Sequence, residues 1–147
     1  MTVAISRALY AQLIDSGIQP EAFAKEFTLW KADWPQREFS HQLFGKDGAY
    51  VAPLVDGERY RLRHAHIVPF NAHSRKRWYE VLRRRGRKTS DRHLVYVGDD
   101  SGNFGLIYIL DEPDAHRVAQ MRTAKERAVM NAFAIVAENF LCDGSLD

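Results

Sequence analysis

The 147-residue chain sets 21 Lys and Arg against 19 Asp and Glu, for a formal net charge of +2, and is 46% hydrophobic. That composition suits one domain over residues 1–147 with a genuine core, and it excludes a generally polycationic protein. No apolar run approaches the roughly twenty residues a bilayer crossing needs, so no membrane partner is expected.

Residues 3–13, "VAISRALYAQL", fit a strand and a short helix equally well. The start of the chain lacks a basic n-region and a long apolar h-region. Its single cysteine, Cys142, has no partner for a disulfide or a cysteine zinc site. A cytoplasmic protein is the expectation. "QPEAFAKEFTLWKAD" predicts a helix: Pro20 suits the first helical position, and Phe23, Phe27 and Trp30 recur at i, i+4 and i+7. The passage from Trp34 to Pro53, punctuated by Pro35, Gly45 and Gly48, reads as loop.

"YRLRHAHIVPF" alternates as a strand does, with Leu62, His64, His66 and Val68 on one face and Arg63, Ala65 and Ile67 on the other. Pro69 ends or bends it. "SRKRWYEVLRRRG" places Trp78, Val81 and Leu82 at helical spacing, with Gly86 as a stop. "HLVYVGDDSGNFGLIYIL" reads as a hairpin whose strands run over about 93–97 and 104–110. Its glycines match neither nucleotide-binding fingerprint. "PDAHRVAQMRTAKERAVMNAFAIVAENFL" predicts one long amphipathic helix with Asp114 as N-cap and an apolar stripe of Val118, Met121, Val129, Phe133, Val136 and Phe140. The expected fold class is α+β: a small antiparallel β-sheet with an N-terminal helix and a long C-terminal amphipathic helix.

Charge is concentrated rather than spread. Between Arg75 and Arg92 nine basic residues face only Glu80 and Asp91, a local +7 that leaves the rest of the chain at −5. A mildly acidic body with one strongly basic segment points to a localised polyanion site. Arg83, Arg84, Arg85, Arg87, Lys88 and Arg92 are the expected phosphate-binding residues, because guanidinium forks meet phosphate oxygens in pairs. Cutting RNA without a metal needs a base for the 2′-OH, an acid for the departing 5′-oxygen and cations for the phosphorane. Histidine suits the proton transfers. His93 at the start of the hairpin, His64 and His66 on one strand face, and His116 beyond the hairpin are therefore candidates, with Asp91 beside them.

Two other chemistries compete. The same-face pair in "HAH" could ligate zinc or manganese, and Asp111, Glu112, Asp114 and His116 supply carboxylates with a further histidine, but no local spacing fixes a third ligand. The preferred reading has no metal and no cofactor. A serine hydrolase is disfavoured because no Gly-x-Ser-x-Gly elbow is present.

"FGKDGAY", "HAHIVP", "KTSDRHLVYV" and "LIYILDEPDAH" occur in the order and approximate spacing of the YafO family of bacterial type II toxins. With "FTLWKAD" and the final helix, the resemblance runs from about residue 19 to 140. "TSDRHLVYV" also resembles the "EHRLVY"-type strand of the wider RelE-like toxins, in which basic residues and a histidine or tyrosine act on mRNA. The resemblance implies a RelE-like fold and an mRNA endoribonuclease working on translating bacterial ribosomes, with the large subunit and mRNA as partners. It also implies neutralisation by a cognate antitoxin protein. Carried over residue by residue, it highlights His64, His66, Ser90, Asp91, His93 and His116. "AHSRKRWYEVLRRRG" is longer and more basic than the family pattern. The alternative function is a basic module that blocks the ribosome without chemistry.

Overall fold

The computed structural model describes all 147 residues. The chain begins with strand β1 (Thr2–Ile5) and turns at once into helix α1 (Arg7–Asp15), so both readings of residues 3–13 hold, one after the other. Ser6 makes the switch: its hydroxyl accepts from the Leu9 N–H as an N-cap. Helix α2 (Pro20–Ala32) follows, and Phe23, Phe27 and Trp30 are all buried as the spacing predicts.

The passage from 34 to 53 is not all loop. It contains strand β2 (Phe44–Ala49), which pairs antiparallel with β3 (Leu62–Ile67) through an irregularity between Phe44 and Asp47. "FGKDGA" carries no β-branched residue, so its strand character comes from the ladder rather than from propensity. Gly45 permits a close approach there. A Cβ at that position would sit 2.5 Å from the Lys88 carbonyl oxygen.

Helix α3 (Ala72–Arg85) is capped by the Asn71 side chain, which accepts from the His73 and Ser74 N–H groups. It ends at Gly86 in the left-handed conformation, φ 69°. Strands β4 (His93–Gly98) and β5 (Asn103–Leu110) form the expected hairpin. The five-stranded sheet runs β1-β5-β4-β3-β2. It is mixed rather than purely antiparallel, because β1 lies parallel to β5.

The predicted C-terminal helix is two helices. Helix α4 (Ala115–Ala119) stops, Met121 takes a positive φ of 56°, and α5 (Ala124–Asp143) starts afresh. Thr123 and Glu126 close a reciprocal capping box that restarts the helix, whereas Asp114 makes no side-chain cap.

The sheet separates two cores. Phe23, Phe27 and Trp30 pack with Leu9 and Leu13 against Phe44, Ala65, Leu94 and Tyr96 on one face. Phe133, Ala137 and Phe140 of α5 cover Leu62, Val95, Val97 and Ile107 on the other. That second face continues along β3 and β4 past the reach of α5. Alternation there puts His64 and His66 after Leu62, and His93 before Val95. No helix of the molecule is long and apolar enough to cross a membrane.

Candidate functional site

The histidine-bearing end of this face forms the floor of an 820 Å³ cleft, with α3 on one side and the start of α4 on the other. Strand pairing assembles the floor. His64 and His66 lie two residues apart on β3, and His93 of β4 stands directly opposite His66 in the antiparallel register. Ring centroids are 4.7 Å apart for His64–His93, 4.5 Å for His66–His93 and 5.5 Å for His64–His66. Gly48 on β2 makes room for the His64 ring, since a Cβ there would lie 3.1 Å from Cε1. Tyr50 stacks on His64 at 4.3 Å, and its hydroxyl lies 3.4 Å from His93 Nδ1.

These rings make no hydrogen bond to a carboxylate, and among acids only Asp47, acting through space on His64, favours a charged ring. Burial lowers all three pKa values from the ordinary 6.5, and the neighbouring imidazoles deepen the effect at His66 and His93. His64 falls to about 4, His66 to about 3 and His93 to about 2. All three are neutral at pH 7. Ser90 braces the middle ring: its backbone N–H donates to His66 Nδ1 at 2.8 Å, and its hydroxyl donates to the Ile67 carbonyl at 2.7 Å. His93 Nε2 and His64 Nδ1 are buried with no hydrogen-bond partner.

His116 is different in kind. Its side chain is 59% exposed at the cleft rim, and Asp91 Oδ1 accepts from both its backbone N–H, at 2.7 Å, and its Nδ1, at 2.8 Å. A carboxylate at Nδ1 places the ring proton there and leaves Nε2 free to accept. Lys46 from β2 and Arg77 from α3 also line the cleft. A second hollow of 650 Å³ adjoins it, sharing His73, Arg77, Val81 and Thr89, and is walled by Lys76, Arg84, Arg85 and Arg87.

The structure thus brings His64, His66, Asp91 and His116 together and divides the predicted cations. Arg84, Arg85 and Arg87 face the basic hollow, while Arg83 is exposed outside it. Lys88 and Arg92 are corrections. Lys88 is 5% exposed and donates to the His41 carbonyl at 2.8 Å. Arg92 is 4% exposed, stacks on Phe70 at 3.8 Å and pairs with Asp111 at 3.1 Å. Both tie the segment after α3 to the body of the protein, so neither can clamp a phosphate. His93 is a correction of the same kind. At 1% exposure it lies beneath the cleft rather than in it, so direct contact with a nucleic acid is closed to it. Reading 34–53 as loop hid Lys46 and Tyr50. Arg77 belongs to the basic segment but was indistinguishable from its neighbours without the helix phase.

No curated protein and no solved structure matches the chain. A family model described as toxin YafO of type II toxin–antitoxin systems matches residues 32–142, which takes in the whole imidazole floor, α3, the Asp91–His116 pair and nearly all of α5. The chain belongs to the YafO family of type II toxins, and a cognate antitoxin is its implied partner.

Proposed function

We propose that this toxin is an endoribonuclease that cuts mRNA on translating ribosomes by attack of the ribose 2′-OH on its own phosphate, in the cleft between α3 and α4. The observation that carries the reading is the Asp91–His116 pair at the rim of a cleft that opens into a cationic groove. His116 Nε2 accepts the 2′-OH proton as the oxygen attacks phosphorus. Asp91 holds the ring and stabilises the imidazolium that forms. Arg77 meets the phosphorane charge, and the Lys46 ammonium protonates the departing 5′-oxygen, leaving a 2′,3′-cyclic phosphate. These proton transfers use side chains alone. Arg84, Arg85 and Arg87 hold the flanking backbone or rRNA by charge.

Dependence on the ribosome follows from orientation: a message held extended in the decoding site needs less ordering by the enzyme. DNA, lacking the 2′-OH, is not cut. The test is primer extension on message-programmed ribosomes with wild type and His116→Ala. Discrete cleavage by wild type alone is expected, and its absence overturns the proposal. Growth arrest that survives His116→Ala but is lost on neutralising Arg84, Arg85 and Arg87 would make the protein a ribosome-blocking module instead.

A further inference from the structure

Three imidazoles packed side by side, two buried and one partly buried, with no acid hydrogen-bonded to any of them, are costly unless something occupies the space between their nitrogens. Polar groups withdrawn from water without a partner destabilise the fold that holds them. His93 Nε2 and His64 Nδ1 are two such groups on adjacent rings. One ring nitrogen from each of His64, His66 and His93 lies within 4.8 Å of the others. A tetrahedral ion with nitrogen ligands at about 2.0–2.1 Å would hold imidazole centroids roughly 5 Å apart. The three observed spacings, 4.5, 4.7 and 5.5 Å, bracket that value. The backbone arrangement also suits the task, because residues i and i+2 of one strand and the directly opposed residue of its neighbour share a sheet face.

We infer that His64, His66 and His93 form a three-histidine site for a divalent transition-metal ion of the zinc class, with its fourth position open to the cleft. Neutral imidazoles are the ligand form required, and three nitrogens with one open position is the arrangement of reactive rather than structural zinc sites. Tyr50, stacked on His64 and beside His93 Nδ1, orients two of the ligands from behind. His66 is the ligand that must adjust. Its Nδ1 accepts from the Ser90 N–H, so loading moves the ring proton to Nδ1 and releases that N–H to the cleft. His64 and His66 line the same cleft as Lys46, Arg77 and His116, so an ion held there would attract a phosphate oxygen or water from the cleft. Metal binding itself does not depend on the cleavage reading.

The test is Co²⁺ titration of protein stripped with chelator and desalted, followed in visible absorption. A tetrahedral cobalt band saturating at one ion per chain, and bleached by one equivalent of Zn²⁺, is expected. His93→Ala and His64→Ala should each weaken Co²⁺ binding by more than about 100-fold, since loss of mere supporting partners already costs 10–100-fold. His41→Ala and His73→Ala should leave it unchanged. If His93→Ala fails to fold, the partly exposed His64→Ala and the wild-type stoichiometry still decide. No band with wild type, or a band retained in both ligand variants, overturns the site. Ribosome cleavage is scored separately, so either proposal can fail while the other stands.

Discussion

Lowering the pH from 7 to 5 in the presence of EDTA should strip this protein of much of its stability, and the imidazole floor sets the amount. An unfolded histidine has a pKa of about 6.5. His64, His66 and His93 have folded values of about 4, 3 and 2. A folded value below the unfolded one means that acid favours the unfolded chain: no penalty exists well above pH 6.5, and it grows as pH falls towards the folded values. At pH 5 each unfolded ring has taken up its proton while each folded ring remains neutral. The cost is about 2 kcal/mol per ring and is insensitive to how far below 5 each folded value lies. Three rings together remove about 5–6 kcal/mol, comparable to the whole stability of many domains. Urea denaturation at pH 7 and pH 5, with chelator present, measures it. The wild type should show a sharply lower midpoint at pH 5, and a His64→Gln/His66→Gln/His93→Gln variant should show a much flatter dependence. Equal wild-type midpoints at the two pH values would refute the claim that the rings are buried neutral.

Asp47→Asn should destabilise by about 3–5 kcal/mol, because it leaves buried cations without their anion. Asp47 is fully buried, with Lys31 at 2.7 Å, Arg63 at 2.9 Å and the Tyr96 hydroxyl at 2.5 Å. Thermal unfolding would register this as a large drop in Tm, and an unchanged Tm would contradict the network. Gly45→Ala should cost about 1–3 kcal/mol by overpacking, since its Cβ meets the Lys88 backbone and Trp78; urea midpoints test it. Arg84→Gln/Arg85→Gln/Arg87→Gln should flatten the salt dependence of RNA binding without lowering Tm, whereas Lys88→Gln should lower Tm, as filter binding and calorimetry would show. Thr123→Ala should cost about 1 kcal/mol by removing the α5 cap, and native-state hydrogen exchange should place the loss at the start of that helix.

Where local pattern and final environment agree, the sequence was readable. Helix α2, the hairpin and the exit of α3 at Gly86 each carry their own period or stop signal, and the structure keeps them. The break between α4 and α5 was also legible, since Thr123 and Glu126 stand at capping-box spacing, but the continuous apolar stripe masked it. Strand β2 carried no such signal. Two of its six residues are glycine and two are charged, and only its pairing with β3 makes it a strand.

The histidine floor shows the same division most sharply. Period-two alternation alone puts His64 and His66 on one face, because successive strand residues must point to opposite sides. No local rule could add His93, 27 positions after His66. Its place opposite His66 follows from the β3–β4 register, a long-range hydrogen-bond pattern that one residue of slip would reverse. Burial likewise separated cations that composition could not. Arg84, Arg85 and Arg87 stay exposed around the hollow beside α3, while Lys88 and Arg92 are consumed in holding their segment against the body. Local periods and the clustering of positive charge are written along the chain and need no fold to be seen. Which of those groups meet, which see solvent and which are desolvated depends on segments far apart in sequence packing against one another, and so emerges only in the folded molecule.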